Sequence, residues 1–158
     1  LQSVLRAAAE HEGTALIEIY QNCDIFNDNA WEPLKNPDTR DDVTIRLNHG
    51  EKIIFGANND RCVIRSADGS LGVANVADVS ADQILTHDAH AEDASLAFAL
   101  TRLSHPETLQ NTPIGVFRDV KRATYESQMR EQITVAEAAA GAGDLNALLQ
   151  GKDTWEVR

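Results

Sequence analysis

One apolar run constrains this chain more than any other feature. Residues 15–20 (ALIEIY) break off at Gln21 and Asn22, and a cysteine, Cys23, follows. The run is rich in β-branched residues and almost continuously apolar, the pattern of a strand buried on both faces of a parallel sheet. Before it, residues 2–12 (QSVLRAAAEHE) favour a helix. Val4, Leu5, Ala8 and Ala9 form a stripe on it that can lie against a sheet, and Gly13 stops it. Helix, glycine and buried strand make the second half of a βαβ unit. The partner strand would precede Leu1, so the chain is expected to be a piece of a longer polypeptide. Cys23, with Asp24, Asn27 and Asp28 behind it, then stands at the carboxyl end of a strand, where ligands bind in open α/β sheets.

Downstream the pattern changes. Residues 29–42 carry Pro33 and Pro37 among polar groups and are expected to form a loop, with Trp31 as its packing anchor. Residues 43–47 alternate in polarity, and 52–56 (KIIFG) form a second β-type run. Residues 62–65 and 71–76 flank Ser66-Ala67-Asp68-Gly69-Ser70. Asp-Gly between two such runs signals a hairpin, because both residues tolerate positive φ. Residues 43–79 therefore read as a small antiparallel addition to the main sheet. Ser80 offers a cap to the short segment after it. Residues 94–103 (ASLAFALTRL) predict a helix with Leu96, Ala99, Leu100 and Leu103 on one face, ending near Pro106. Residues 113–120 (PIGVFRDV) predict a strand. Residues 124–140 predict a long helix ended by Gly141 and Gly143, and Asp144 caps a last helix over 145–150 that Gly151 stops. The tail, KDTWEVR, carries Trp155.

Composition excludes several functions. The formal net charge of −11 repels phosphate backbones and anionic bilayers, so neither nucleic acid nor a membrane surface is an expected partner. No apolar run reaches the roughly 20 residues that span a bilayer. Two cysteines are too few for the disulfide framework of a small secreted domain, so free thiols in a reducing cytoplasm are expected. There is no CxxC, GxGxxG or GxxxxGK[ST], hence no thiol-based zinc pattern and no phosphate-binding loop.

The residues that carry chemistry are few. Cys23 reads as a buried small hydrophobe, a nucleophile or a metal ligand; a nucleophile needs a base beside it, and an iron–sulfur cluster needs three further ligands. Cys62 lies inside a β-type run and reads as core. His87, Asp88, His90, Glu92 and Asp93 have the composition of a metal site. They also precede a helix, where Asp88 or Asp93 would complement the N-terminus. His49 reads as a turn residue and His105 as the end of a helix.

Four blocks carry a wider resemblance: IEIYQNCDIFNDNAWEPL, IRLNHGEKIIFG, ILTHDAHAEDASLAFALTRLSHPETLQNTPIGVFRDVKRATY and GDLNALLQGKDTWEV. Together, in this order and over essentially the whole chain, they resemble the C-terminal part of the β subunit of 2-oxoacid:ferredoxin oxidoreductases, most nearly the 2-oxoglutarate type of actinobacteria. The resemblance implies an α/β fold: part of a thiamine-diphosphate-binding three-layer sandwich with a Rossmann-like sheet, an antiparallel β addition and C-terminal helices. It implies that residues 1–42 close the thiamine-diphosphate-binding domain and that 43–158 form the subunit's C-terminal domain. It further implies oxidative decarboxylation of 2-oxoglutarate with coenzyme A to succinyl-CoA and CO2, with electrons passing to ferredoxin. The implied cofactors are thiamine diphosphate, Mg2+ and one [4Fe–4S] cluster; the implied partners are an α subunit and a second β subunit in an α2β2 assembly. Cys23 matches the position of one cluster thiolate, the others standing upstream together with the family's diphosphate and Mg2+ motif. Asn27 lies on the cofactor side by position. Alone, residues 1–158 are then expected to hold none of these cofactors, to be inactive and to self-associate through the apolar surface around Val4, Leu5, Ile17 and Ile19. The alternative readings are a non-catalytic module that binds other subunits and, further off, a hydrolase using the Cys23 thiol.

Overall fold

The computed structural model describes residues 1–152, 154, 155 and 157. Of the tail, Asp153, Glu156 and Arg158 lie outside the described residues. The chain forms two compact units, Leu1–Lys121 and Arg122–Arg158.

The first unit is organised by two small sheets. In chain order it contains helix α1 (Gln2–Glu10), two single-turn helices α2 (Glu32–Lys35) and α3 (Arg40–Val43), strands β1 (Thr44–Leu47), β2 (Ile54–Phe55), β3 (Arg61–Arg65) and β4 (Leu71–Asn75), helix α4 (Ser95–Thr101) and strand β5 (Thr112–Gly115). β1 and β5 pair in parallel, Thr44 opposite Thr112 and Leu47 opposite Gly115. β2, β3 and β4 form an antiparallel sheet. Residues 84–86 extend that sheet through bridges of Lys52 with Thr86 and Ile64 with Ile84.

Ile45, Leu47, Ile53, Phe55, Val63 and Leu100 form the buried core, and Leu71, Val73, Leu85, Leu96, Leu103 and Phe117 pack against it. The period of two along β1 puts Ile45 and Leu47 inside and Arg46 outside. Leu96 and Leu100 bring one face of α4 to the same core, as their spacing predicts, and Leu103 joins them from just past the helix, which ends at Thr101 rather than at 103. Gly115 allows β5 to close on β1: its φ is +127°, and a Cβ there would lie 2.6 Å from the Leu47 carbonyl oxygen. Pro113 is tolerated because the parallel sheet has only two strands, so both are edges.

The second unit holds α5 (Tyr125–Ala140) and α6 (Leu145–Gln150). The Thr124 hydroxyl accepts the Ser127 amide at the start of α5, and the Asp144 carboxylate accepts the amides of Asn146 and Ala147 at the start of α6. Gly141 and Gly151, both at positive φ, end the two helices. No residue of either helix is buried.

The mixed α/β class expected from the sequence is present: a parallel pair, an antiparallel three-stranded sheet and C-terminal helices. Several details differ. Residues 14–20 form no strand, and Leu16 and Ile19 are exposed at 97% and 52%. A strand exists only as part of a ladder, and no described strand lies beside this run to accept its backbone hydrogen bonds. The expected loop over 29–42 instead contains α2 and α3; Pro33 sits in the first turn of α2, where its missing N–H breaks no helical bond. β1 leaves the antiparallel addition to pair with β5, so that sheet starts only at β2. The strand expected over 113–120 ends at Gly115. The hairpin between β3 and β4 uses positive φ at Gly69 but not at Asp68, because its loop is five residues long rather than a two-residue turn.

Candidate functional site

Cys23 lies half-buried in a tight reversal of the chain. The Asn27 amide donates to the Cys23 carbonyl at 2.8 Å, which folds residues 24–26 over the side chain. The backbone amides of Phe26 and Ile25 do most to hold the Cys23 thiol below its ordinary pKa; slight burial opposes them, and the Asn27 amide adds to the lowering. Hydrogen bonds donated to the charged form favour it, so the loop stabilises a thiolate. A thiolate is both the nucleophilic form of cysteine and its metal-binding form.

Asn22 locks this loop. Its amide nitrogen donates to the carboxylates of Asp24 at 2.6 Å and Asp28 at 2.9 Å, and its side-chain oxygen accepts the Asn29 amide at 2.8 Å. Asn29 takes a left-handed conformation, φ +59°, that asparagine tolerates better than most residues. On either side of the loop, Tyr20 and Trp31 stack with ring centroids 4.4 Å apart and planes 10° apart. Trp31, expected to pack against the body of the domain, instead closes the base of the Cys23 loop by stacking on Tyr20. Burial, then the neighbouring Glu18 carboxylate, pushes the Tyr20 phenol up. Ile25 and Phe26 project from the loop at 84% and 89% exposure.

Cys62 is the opposite case. It is fully buried on β3, its thiol donates to the Ala74 carbonyl at 3.6 Å, and burial raises its pKa. The reading of Cys62 as core holds. Asn27 is exposed, and its backbone, through the bridge to Cys23, is what shapes the loop.

The histidines assemble elsewhere, beyond the carboxyl ends of β1 and β5. His49 and His90 lie ring to ring, centroids 4.1 Å apart. The His49 Nδ1 accepts the Ala89 amide at 3.2 Å and stands 3.5 Å from the Asp88 carboxylate. His90 Nδ1 donates to the Asp119 carbonyl at 2.6 Å, and His11 Nδ1 meets the Asp119 carboxylate at 2.8 Å. His87 is buried, with Nε2 donating to the Val116 carbonyl at 2.8 Å. Among the described residues, no three His, Cys, Asp or Glu side chains are arranged to hold a metal ion. Asp93 serves α4 instead, accepting the Ser95 amide at 2.9 Å and hydroxyl at 2.7 Å. Those two bonds, the hydroxyl's first, hold its carboxyl below the ordinary range. Asp88 tightens its own turn by accepting the His90 amide. His105 Nδ1 faces the amides of Glu107 and Thr108, both at 3.3 Å, in the turns that follow α4.

Sequence reasoning placed Cys23 at a polar turn that includes Asn22 but missed the bonds by which Asn22 holds the loop. The available signal was Asn22 flanked by Asp24 and Asp28, a composition that favours side-chain-capped turns. The clustering of His11 with His49 and His90 had no local signal, because Asp119, which ties two of them, is 108 positions from His11.

No family model matches the chain, and no solved structure matches it. A curated relative does. The chain is 47% identical over 159 aligned residues, 99% of its own length, to the 2-oxoglutarate oxidoreductase subunit KorB of Mycobacterium tuberculosis. It spans 42% of that protein. Along nearly its whole length the chain is therefore similar to part of a 2-oxoglutarate oxidoreductase subunit, the resemblance that its sequence blocks carry.

Proposed function

We propose that this chain is part of the β subunit of a 2-oxoglutarate:ferredoxin oxidoreductase, in which Cys23 is one of four thiolate ligands of a [4Fe–4S] cluster. The observation that carries the reading is the Cys23 loop, where three backbone amides favour the charged sulfur at the position the resemblance assigns to a cluster ligand. The similarity to KorB supports the enzyme class. Such a loop suits a cluster: amide hydrogen bonds to ligand sulfurs and the exposure of the site are among the levers that set cluster potentials. Cys62 is unsuited, being sealed in the core with a raised pKa. The chain thus supplies one thiolate, and the other ligands belong to the rest of the subunit.

When bound, thiamine diphosphate with Mg2+ supplies the electron sink for decarboxylation, and the cluster carries electrons onward to ferredoxin. The residues of this chain do the holding. Asn22 fixes the loop, the Tyr20–Trp31 stack fixes its base, and the amides of residues 25–27 favour the ionised form of Cys23. By its position in the resemblance, Asn27 is the residue of this chain nearest the cofactor side. The α subunit, a second β subunit, coenzyme A and the 2-oxoacid complete the enzyme, in the cytoplasm.

The test is Cys23→Ser in the full complex, purified anaerobically. The expected result is loss of the cluster's iron, sulfide and electron paramagnetic resonance signal, together with loss of 2-oxoglutarate-dependent ferredoxin reduction. A variant that keeps full iron and sulfide stoichiometry overturns the assignment.

A second reading, a subunit-interaction module, is favoured by the second unit. Its helices bury no residue, and Ile133, Val135, Leu145, Leu148 and Leu149 are 56–77% exposed. Helices with this much exposed apolar surface are interaction surfaces. The two readings separate in one experiment: deleting residues 122–158 removes subunit association under the second and leaves the iron content of the β subunit unchanged under both.

A further inference from the structure

Against the antiparallel sheet lies an open groove of about 440 Å3 that nothing above uses. Its volume is that of a small-molecule site. Ile54, Phe55 and Gly56 line it together with Arg40, Asp41 and Arg46. The alternation that sends Ile45 and Leu47 into the core turns Arg46 outward. Arg40 arrives from α3, one turn before β1.

Both guanidinium groups address one oxygen. Arg40 Nε lies 3.4 Å and Arg46 Nη2 3.5 Å from the same Asp41 carboxylate oxygen. Formed charge-assisted bonds of this kind measure about 2.7–2.9 Å. Asp41 therefore sits between two arginines without closing a fork on either. Each guanidinium keeps planar N–H donors that match an oxyanion in pairs. Arg61 donates to the backbone carbonyl of Asp42 and covers the Phe55 ring at 4.8 Å, and the Asp60 carboxylate lies against Gly56. In a chain of net charge −11, this groove presents two arginines to one loosely held carboxylate.

We infer that the groove binds a small phosphorylated molecule with an apolar body. The phosphoryl group takes both guanidinium groups in place of Asp41, and the apolar part lies along Ile54. Ile54 is 37% exposed and can receive it. The inference is independent of the oxidoreductase reading, because none of its residues belongs to the Cys23 loop.

Inorganic phosphate and phenyl phosphate are the probes, titrated into isotope-labelled protein and followed through the Gly56 and Ala57 amides and the Arg46 side chain. Saturable shifts confined to residues 40–59 are expected, with phenyl phosphate the tighter ligand. Arg40→Ala and Arg46→Ala should each weaken binding about tenfold, the scale of a lost hydrogen bond to a charged group. Asp41→Asn should tighten it by removing the competing carboxylate. All three side chains are about half exposed or more, so the fold tolerates the changes. Shifts that do not saturate, equal affinity for the two probes, or binding unmoved by Arg46→Ala or weakened by Asp41→Asn would each overturn the inference.

Discussion

Two β-type runs in this chain meet opposite fates. Residues 15–20 are the more apolar, yet they stay outside any ladder and expose Leu16 and Ile19. Residues 44–47 alternate and include an arginine, yet they become β1, with Ile45 fully buried. The difference lies in partners rather than propensity. β5 offers a parallel register to β1, and α4 and β2 cover the face that carries Ile45 and Leu47. Nothing described does either for residues 15–20. The two cysteines repeat the contrast, one in an exposed amide-lined loop and one sealed in a strand.

That contrast is most easily broken by alkylation. Cys23 should react with iodoacetamide in the native protein, and its rate should plateau at a lower pH than that of a cysteine in a model peptide, because its folded pKa is lowered. Cys62 should react only on unfolding, orders of magnitude more slowly. Equal labelling of both thiols by mass spectrometry would end the comparison.

Stability measurements sharpen it. Leu100→Ala removes a fully buried side chain and should cost about 2–5 kcal/mol in urea denaturation. Leu16→Ala should stay within about 0.5 kcal/mol, as exposed positions do. Comparable losses would show that residues 15–20 are packed in solution.

Gly115→Ala tests the pairing of β1 with β5. The new Cβ meets the Leu47 carbonyl at 2.6 Å in a left-handed backbone, so a loss of about 1–3 kcal/mol is expected. An unchanged melting temperature would mean that the two strands do not approach this closely.

The smallest effect concerns the start of α4. The Asp93 carboxyl is depressed by the Ser95 hydroxyl and amide, so its ionised form favours the folded state. Its contribution is fully present above the ordinary aspartate range, near pH 4, and is lost as pH falls through the depressed folded value. Asp93→Asn should therefore narrow the difference in melting temperature between pH 6 and pH 3, and an unchanged difference would show that the Asp93–Ser95 bonds contribute nothing.

Much of the architecture was legible in the residues. The α4 stripe, both C-terminal helices with their Thr124 and Asp144 caps, the Gly141 and Gly151 stops and the hairpin around Gly69 depend on neighbours a few positions apart. Such signals are local by nature. The pairing of β1 with β5 joins residues 68 positions apart, since Thr44 faces Thr112, and nothing in either short run names the other. The Cys23 site was half legible: a polar turn and a thiol are visible, whereas the lowering of the thiol's pKa by the amides of residues 25–27 is a property of backbone conformation.

The sequence by itself determined where helices begin and end, which face of α4 is apolar, and that Cys23 follows an apolar run at a polar turn. It also carried, in the order of its blocks, the similarity to a 2-oxoglutarate oxidoreductase subunit. Only the tertiary structure decided that residues 15–20 stay unpaired, that β1 joins β5, and that Arg40 and Arg46 meet over one carboxylate. The physical reason is that helix caps and turns are completed by nearby atoms, whereas a strand or a binding groove exists only once distant segments supply the other half.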